Sequence, residues 1–298
     1  SNSSGVIRIE SAMARLAYVN GQYIPHSDAA VHVEDRGYQF GDGVYEVVSV
    51  VKRRPIDLEG HLDRLARSLS ELRIDWPVSR QVLAILMRQL LTRNRVADGL
   101  IYLQITRGVA PRDHKFPKDV KPSLVMTTKK VVHENSPRFA NGAKVVTIPD
   151  IRWVRCDIKS TSLLPNCLGK QTAAEAGAYE AWQVNDDGYI TEGTSSNAWI
   201  VSESGELITR APTSEILNGI TRLTILEIAN ERGVAFAERA FSLEEAKSAR
   251  EAFTTSATSF VTPVVQIDDI VIGDGAPGAL TRNLIEQYQT YIEALETL

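Results

Sequence analysis

The sequence is poor in cysteine and has only a small excess of acidic over basic side chains. Its 298 residues contain 2 cysteines, Cys156 and Cys167, a spacing that matches no zinc pattern and argues against a disulfide framework. We therefore predict no metal site, and we expect both thiols to be reduced and buried, as in a cytoplasmic protein. The 33 basic and 37 acidic side chains indicate no clustered basic face, so nucleic acid is not a predicted partner.

Long apolar runs and targeting signals are lacking as well. No apolar stretch approaches the roughly 20 residues that span a membrane, and we predict no membrane partner. Residues 1–12 lack the basic start and apolar core of a signal peptide, and Met13 is a candidate for the native start after an expression remnant. Gly41-Asp42-Gly43 is not a dinucleotide fingerprint, because no third glycine follows at the required spacing.

The first half of the chain mixes predicted strands and helices. Asn20-Gly21 is a strong turn signal, and leucines at helical spacing indicate a helix. The predicted elements are a hairpin over 16–24, a strand over 44–51 that turns at the solvated tip 52–54 into a short strand, helices over 58–74 and 79–95, and strands over 100–106 and 123–128. We expect the second helix to turn Val82, Ile85, Leu86 and Leu90 inward.

Strands remain frequent in the second half. The predicted elements are a strand over 143–148, a helix over 165–179, strand pairs turning at 185–188 and 203–205, helices over 221–232 and 242–251 around a strand over 235–238, and a last helix from 279. So many strands favour an α+β fold with two mixed or antiparallel sheets flanked by helices. We predict a smaller N-terminal domain (13–133), a linker (134–141) and a larger C-terminal domain (142–298).

Lys159 is the first candidate for chemistry. A lysine is usually a solvated surface cation, but this one follows a segment that we interpret as strand-like (151–154), and Leu163 and Leu164 lie beyond it. Partial burial disfavours the charged form of a lysine. A neutral amine can attack an aldehyde, so the sequence context suggests a Schiff-base lysine.

A carboxylate and small hydroxyl-rich turns follow along the chain. Glu192 precedes Gly193-Thr194-Ser195-Ser196 and is either an exposed turn residue or the carboxylate that keeps a pyridine nitrogen protonated. Gly219-Ile220-Thr221-Arg222 opens a predicted helix, whose N-terminus suits a phosphate, although an ordinary helix cap has the same sequence. Together with the turn 255–259, these residues suggest a phosphorylated aldehyde cofactor.

Three further residues carry charges that suit anions. Arg64, on the first predicted helix, is either a clamp for a phosphate or a surface arginine. Arg112 and His114 stand two positions apart in a polar loop after a strand, where arginine suits bidentate binding of a carboxylate. A loop position also makes chance exposure plausible for both.

Two long segments are especially informative, DRGYQFGDGVYEV at 35–47 and RWVRCDIKS at 152–160. With the residues above, they resemble the fold-type IV pyridoxal-phosphate enzymes and, within these, the D-amino-acid aminotransferases. The resemblance extends from about residue 16 to 287. It implies a cytoplasmic homodimer that uses pyridoxal 5'-phosphate to transfer the amino group of a D-amino acid, such as D-alanine or D-glutamate, to 2-oxoglutarate or pyruvate by a ping-pong mechanism.

The resemblance also implies roles for individual residues. Lys159 would form the Schiff base and act as the general base, and Glu192 would contact the ring nitrogen. The residues implied to bind the cofactor otherwise are Arg64, Leu217, Ile220, Thr221, Ser256 and Ala257. Tyr45, Arg112 and His114 would bind the substrate carboxylate, the last two from the partner subunit. Ala257 departs from the pattern, since such enzymes often have a phosphate-binding threonine there; Ser256 and Thr258 are candidates to compensate.

Several alternatives stay open at this stage. Relatives of the same fold transfer amino groups from branched-chain L-amino acids or (R)-amines, and aminodeoxychorismate-type lyases release pyruvate without an acceptor. A non-catalytic cofactor carrier is disfavoured by the set of Lys159, Glu192 and Tyr45. The range of substrate side chains, the physiological direction and any oligomer larger than a dimer are not determined by the sequence.

Overall fold

The computed structural model of the chain describes residues 15–131 and 137–295. The predicted start at Met13 and the first part of the predicted linker lie outside these residues. The later part of that linker forms a short helix, α4 (Pro137–Asn141). No helix within 15–131 and 137–295 combines the length and the apolar character that crossing a membrane requires.

Six strands of the first part form an antiparallel sheet in the order β2-β1-β6-β5-β3-β4. The strands are β1 (Leu16–Val19), β2 (Gln22–Pro25), β3 (Gly43–Val51), β4 (Arg54–Pro55), β5 (Gly99–Thr106) and β6 (Ser123–Lys130). The helices are α1 (Arg36–Phe40), α2 (Leu58–Leu72) and α3 (Arg80–Arg93), besides a 3-10 turn over His26–Asp28. The predicted hairpin is confirmed: Asn20 (φ 46°) and Gly21 (φ 97°) both have positive φ, as a two-residue type I′ turn requires.

Helices α2 and α3 cover one face of this sheet. The leucine spacing of α2 is confirmed, since Leu62, Leu65 and Leu69 are buried. The predicted inward face of α3 is wrong in part: Leu90 is buried and Leu86 packs at the edge of the core, but Val82 and Ile85 are exposed. The helix instead buries Leu83, Met87, Leu90 and Leu91, which follow the i, i+4, i+7, i+8 spacing of a single stripe.

The remaining strands form a mixed sheet of nine strands in the order β12-β11-β10-β13-β14-β7-β8-β9, with β15 paired to β14. The strands are β7 (Ala143–Pro149), β8 (Glu180–Val184), β9 (Ile190–Gly193), β10 (Asn197–Val201), β11 (Leu207–Thr209), β12 (Phe236–Glu238), β13 (Glu251–Ser256), β14 (Phe260–Ile267) and β15 (Ile270–Val271). The pairs β11/β12, β14/β7 and β7/β8 are parallel. The predicted α+β class with mixed and antiparallel sheets is confirmed, while the domain boundaries stay a prediction.

Both faces of the mixed sheet are buried. Neighbouring residues of β10 point to opposite cores: Trp199 packs with Ile225 and Leu284, whereas Ile200 packs in the other cluster. The helices are α5 (Leu164–Glu175), α6 (Ile220–Glu231), α7 (Leu243–Lys247) and α8 (Ala279–Ala294). The core thereby fixes the start of α6, which lies at the site described below.

The segment 150–163 joins β7 to α5 without regular structure. The strand-like interpretation of 151–154 is therefore wrong. Ile151 and Val154 are exposed rather than packed on a sheet, and the side chain of Arg152 forms its own hydrogen bonds to Asp150 and Glu192. This irregular segment carries Lys159 into the space between the two sheets.

Candidate active site

A cavity of about 380 Å³ lies between the first sheet and the mixed sheet. All but two of the predicted site residues line it, namely Tyr45, Arg64, Lys159, Glu192, Leu217, Ile220, Thr221, Ser256 and Ala257. The fold thus brings together residues from β3, α2, the 150–163 segment, β9, the start of α6 and the β13–β14 turn. In the described parts of the chain, no group of three or more His, Cys, Asp or Glu side chains is placed to hold a metal ion.

Lys159 is held through its backbone and points its amine towards an aromatic ring. Its N–H donates to Ser68 Oγ at 3.2 Å, and its carbonyl accepts from the Tyr45 N–H at 3.1 Å. The Nζ atom lies 4.2 Å from the centre of the Tyr45 ring, within the range of a cation–π contact. The side chain is half-buried and lines the cavity, so the amine is accessible there, while α2 and β3 fix the backbone of Lys159.

Glu192 is buried on β9 rather than exposed in a turn. Its carboxylate accepts hydrogen bonds from Arg152 Nη1 at 2.5 Å, Asn197 Nδ2 at 2.9 Å and the Leu217 N–H at 3.1 Å. Burial raises the pKa of Glu192 to about 7, although the charge and hydrogen bond of Arg152 act against this rise. The carboxyl group is therefore fixed in place, and its three donors favour the ionised form against the effect of burial.

Arg152 has no role in the sequence predictions, yet it orients Glu192. It also donates to Asp150 from Nε at 3.0 Å and from Nη2 at 2.8 Å. Burial lowers the pKa of Arg152, but its hydrogen bonds and attraction to Asp150 and Glu192 raise the pKa by more. The sequence contained one signal for the Asp150–Arg152 pair: opposite charges two positions apart, close to Lys159.

The start of α6 lines the cavity with the features that an anion site needs. Gly219 is the N-cap, and the helix begins at Ile220 and Thr221, whose N–H groups have no acceptor within the helix. A Cβ atom at Gly219 would lie 2.1 Å from Asn197 Oδ1, so a larger residue would displace the Asn197 amide that donates to Glu192 and the Leu217 carbonyl. The positive end of the helix dipole and these N–H groups suit a phosphate.

The β13–β14 turn lines the same cavity with hydroxyl groups. Ser256 Oγ and Thr258 Oγ1 are 3.3 Å apart on either side of Ala257. The hydroxyl of Ser49, on β3, donates to the Ala257 carbonyl at 2.5 Å, which holds the turn against the first sheet. A phosphate at this place would therefore meet two hydroxyls and backbone N–H groups, although position 257 itself lacks a hydroxyl.

Arg64 is not a surface arginine. Its Nε and Nη2 atoms donate to the two oxygens of Glu46 at 2.7 and 2.8 Å, and Nη1 donates to the Asn218 carbonyl at 3.2 Å. Burial acts to raise the pKa of Glu46, but the Arg64 charge and hydrogen bonds lower it to about 2. His61 Nδ1 lies 2.7 Å from the same carboxylate, and burial lowers the pKa of His61. Glu46 and His61 are thus supports for Arg64 that sequence reasoning missed.

Arg112 and His114 lie elsewhere. Both are exposed on the loop 107–122 between β5 and β6, and neither lines the cavity. Their side chains lie against Phe40 of α1, with 4.8 Å from Arg112 Cζ to the ring centre and 5.4 Å between the His114 and Phe40 rings. A single chain therefore does not bring them to Lys159.

The two cysteines are free thiols, but their predicted burial is wrong. Cys167 is exposed, because it lies on the outer face of α5 beside exposed Leu164 and Leu168. Cys156 is half-buried and lines the cavity, and burial raises the pKa of its thiol to about 11. This thiol therefore stays protonated near neutral pH and donates to the Trp153 carbonyl at 3.1 Å.

Comparison with known proteins gives the family context of this cavity. Residues 43–267 match the model of the family described as amino-transferase class IV. A D-alanine aminotransferase of Bacillus licheniformis is 42% identical over 273 residues, which cover 92% of this chain and 95% of that protein. A second D-alanine aminotransferase, from Staphylococcus haemolyticus, is 41% identical and covers 93% of this chain and 98% of that protein.

Solved structures give the fold. A branched-chain amino acid aminotransferase of Escherichia coli superposes with a TM-score of 0.86 at 24% identity, covering 93% of this chain and 94% of that chain. A branched-chain amino acid aminotransferase from T.th., solved with pyridoxamine 5'-phosphate, gives a TM-score of 0.85 at 24% identity and covers 93% of each chain. At this identity the two structures establish the shared fold.

Proposed function

This chain belongs to the class IV aminotransferase family, and we propose that it exchanges the amino group between a D-amino acid, such as D-alanine or D-glutamate, and a 2-oxo acid such as 2-oxoglutarate or pyruvate. The observation that carries the proposal is the D-alanine aminotransferase relative at 42% identity over 92% of the chain. The cavity supports it, because an amine, a buried carboxyl and an anion site share one space.

The residues present fit pyridoxal 5'-phosphate, the cofactor of this family. When bound, this cofactor supplies an aldehyde that accepts the amino group and a ring that withdraws electrons from the substrate carbon. Lys159 would hold the aldehyde end, and Glu192 would hold the proton on the ring nitrogen. Ile220 and Thr221, at the start of α6, would bind the phosphate with the β13–β14 turn. Arg64 lines the same cavity, and its positive charge would contribute to binding the phosphate.

Proton transfer falls to the Lys159 amine. Nζ takes the proton from Cα of the bound D-amino acid and later returns a proton, acting as a general base and then as a general acid. Its backbone contacts to Ser68 and Tyr45 fix the place at which the side chain enters the cavity, and the Tyr45 ring lies beside the amine. Arg152 keeps Glu192 in place throughout, because its guanidinium is itself fixed by Asp150.

The carboxylate-binding set needs a second chain. Tyr45 lines the cavity, whereas Arg112 and His114 are exposed outside it. We propose a homodimer in which the loop 107–122 of one subunit reaches the cavity of the other, so that Arg112 and His114 bind the substrate carboxylate beside Tyr45. A carboxylate held there turns the Cα–H of a D-amino acid towards Lys159.

A mixed dimer tests the contribution in trans. Arg112→Ala alone should remove about 1.5–3 kcal/mol of transition-state stabilisation for D-alanine, which lowers kcat/KM roughly tenfold to a hundredfold. Lys159→Ala should be inactive. Dimers that pair one chain of each variant, isolated with two affinity tags, have one intact site if Arg112 acts across the interface. About half of the wild-type activity per dimer is then expected. Mixed dimers no more active than Arg112→Ala homodimers would show that the loop acts within its own subunit.

Two alternative functions within the same family predict different results with respect to the acceptor and to Arg112 and His114. A lyase would release pyruvate continuously without any 2-oxo acid acceptor, whereas a transferase without an acceptor stops after one half-reaction per site. An enzyme for branched-chain L-amino acids or (R)-amines would not need Arg112 and His114. The cytoplasmic location expected from the reduced thiols and the division into two domains stay predictions.

A further inference from the structure

The Gly41-Asp42-Gly43 segment, whose spacing excludes a dinucleotide fingerprint, holds a buried charge cluster. Asp42 accepts from Arg36 Nε at 2.8 Å and from Arg107 Nε and Nη2 at 2.8 and 3.0 Å. The side chains of Arg36 and Arg107 are only 3% and 6% exposed. Hydrogen bonds between buried ionised groups are strong and geometrically specific, so Asp42 fixes two guanidinium groups at the end of β5.

The two arginines use their remaining N–H groups differently. Arg107 donates to the carbonyls of Leu72 and Arg73 at the end of α2. Arg36 instead donates from Nη1 to the Asp113 carbonyl at 2.5 Å and from Nη2 to the His114 carbonyl at 3.4 Å. The backbone between Arg112 and His114 is therefore tied to Asp42 through one guanidinium group.

Phe40 contacts the side chains of Arg112 and His114 in the same stretch of the loop. Its ring lies 4.8 Å from Arg112 Cζ, 5.4 Å from the His114 ring and 4.6 Å from Arg36 Cζ. Arg112 and His114 thus lie on one aromatic ring although both are exposed to solvent. A long exposed arginine otherwise loses considerable rotamer freedom when it binds a ligand, and a preformed arrangement reduces that cost.

We infer that Arg36 and Phe40 are positioning residues for the substrate carboxylate: Arg36 holds the backbone of 113–114, and Phe40 holds the side chains of Arg112 and His114. This inference rests on the proposed function, in which those two side chains bind the carboxylate. Neither Arg36 nor Phe40 lines the cavity, so both act through the loop. Their loss should weaken binding of the substrate carboxylate and leave the chemistry at Lys159 intact.

The test is a set of substitutions in the holoenzyme, with D-alanine as donor and 2-oxoglutarate as acceptor. Arg36→Lys keeps a positive charge near Asp42 but cannot hold Asp42 and two carbonyls at once. We expect KM for D-alanine to rise about tenfold, with kcat and cofactor affinity nearly unchanged. Arg107→Lys is the matched control: it disturbs the same carboxylate at similar depth, and it should lower thermal stability while leaving KM within about twofold.

A double variant separates positioning from general destabilisation. If Arg36 acts through Arg112, the KM of Arg36→Lys/Arg112→Ala should rise by less than the product of the two single effects, because coupled residues are not additive. Multiplying effects, or an unchanged KM in Arg36→Lys, would overturn the inference. If Arg36→Lys fails to fold, Phe40→Leu takes its place: its KM for D-alanine is compared with that of Phe40→Leu/Arg112→Ala, and the same outcomes apply. A wild-type protein inactive with D-alanine would instead refute the proposed function.

Discussion

Lys159→Ala is expected to abolish transamination of D-alanine. Removing a positioned general base costs about 10²–10⁴-fold in rate, and Lys159 is also the residue that would hold the cofactor aldehyde, so the loss should reach or exceed the upper figure. The Nζ atom lies 4.2 Å from the Tyr45 ring centre in a cavity that alanine would leave without an amine. The measurement is steady-state turnover, with the absorbance spectrum recorded before and after borohydride reduction.

Lys170→Ala supplies the control for this variant. Lys170 lies on α5, outside the cavity lining, and its amine donates to the Tyr179 carbonyl at 2.8 Å. This substitution should cost stability at most and leave turnover and the borohydride-stable attachment of the cofactor intact. Turnover that persists in Lys159→Ala, or a cofactor that still becomes fixed to the chain on reduction, would reject the role of Lys159.

Glu192→Gln is expected to slow proton transfer while the cofactor stays bound. Glutamine has the same shape, but it removes the negative charge beside Arg152 and cannot accept from Arg152, Asn197 and Leu217 with both terminal atoms. Removing one preorganised electrostatic partner of a developing charge typically costs about 10²–10³-fold in kcat. The loss should appear in the rate of the D-alanine half-reaction, measured by rapid-mixing absorbance at saturating cofactor.

Glu215→Gln is a matched carboxylate-to-amide control. Glu215 lies beside the Arg152 guanidinium, which donates to its carbonyl at 2.9 Å, but it does not line the cavity. Its substitution should leave the half-reaction rate within a few-fold. A Glu192→Gln half-reaction as fast as the wild type would refute the ring-nitrogen role, and a defect confined to cofactor affinity would make Glu192 an anchoring residue only.

Local signals in the sequence predicted much of the fold. Asn20-Gly21 specifies its hairpin because both positions need positive φ. The face of α3 was harder, because Val82 and Ile85 also follow helical spacing and only the packing against β1 and β6 selects the stripe through Leu83 and Met87. Tertiary context decided between two apolar faces that periodicity alone treats as equivalent.

The strands β13 and β14 were not predicted, and the helix predicted over 242–251 is too long, because α7 ends at Lys247 and Glu251 begins β13. Pro263 lies within β14, and proline argues against an interior strand because it cannot donate to the ladder. The structure accommodates it: the pairing of β14 with β7 begins only at Val264, so Pro263 lies beside that contact. The turn 255–259 joins these two strands, and their pairing places it in the cavity. Without the strands, the sequence could not indicate which residues surround the turn.

At the site, too, local sequence signals predicted some features, whereas contacts between distant residues were not predictable. Lys159, Glu192 and the start of α6 stand in recognisable strings, but the ion pairs that hold them join distant positions. Arg152 and Glu192 are 40 positions apart, and Arg64 and Glu46 are 18 apart. No periodicity relates such positions, and a buried carboxylate finds its partner only when the sheets close around it.

The most direct test of the account is the absorbance of the purified holoprotein after addition of D-alanine alone and, separately, of L-leucine alone. Transamination of a D-amino acid predicts that D-alanine converts the cofactor from its aldehyde form to its amine form and bleaches the yellow colour, while L-leucine leaves it unchanged. Bleaching by L-leucine and not by D-alanine would contradict the account and assign the chain to the branched-chain enzymes.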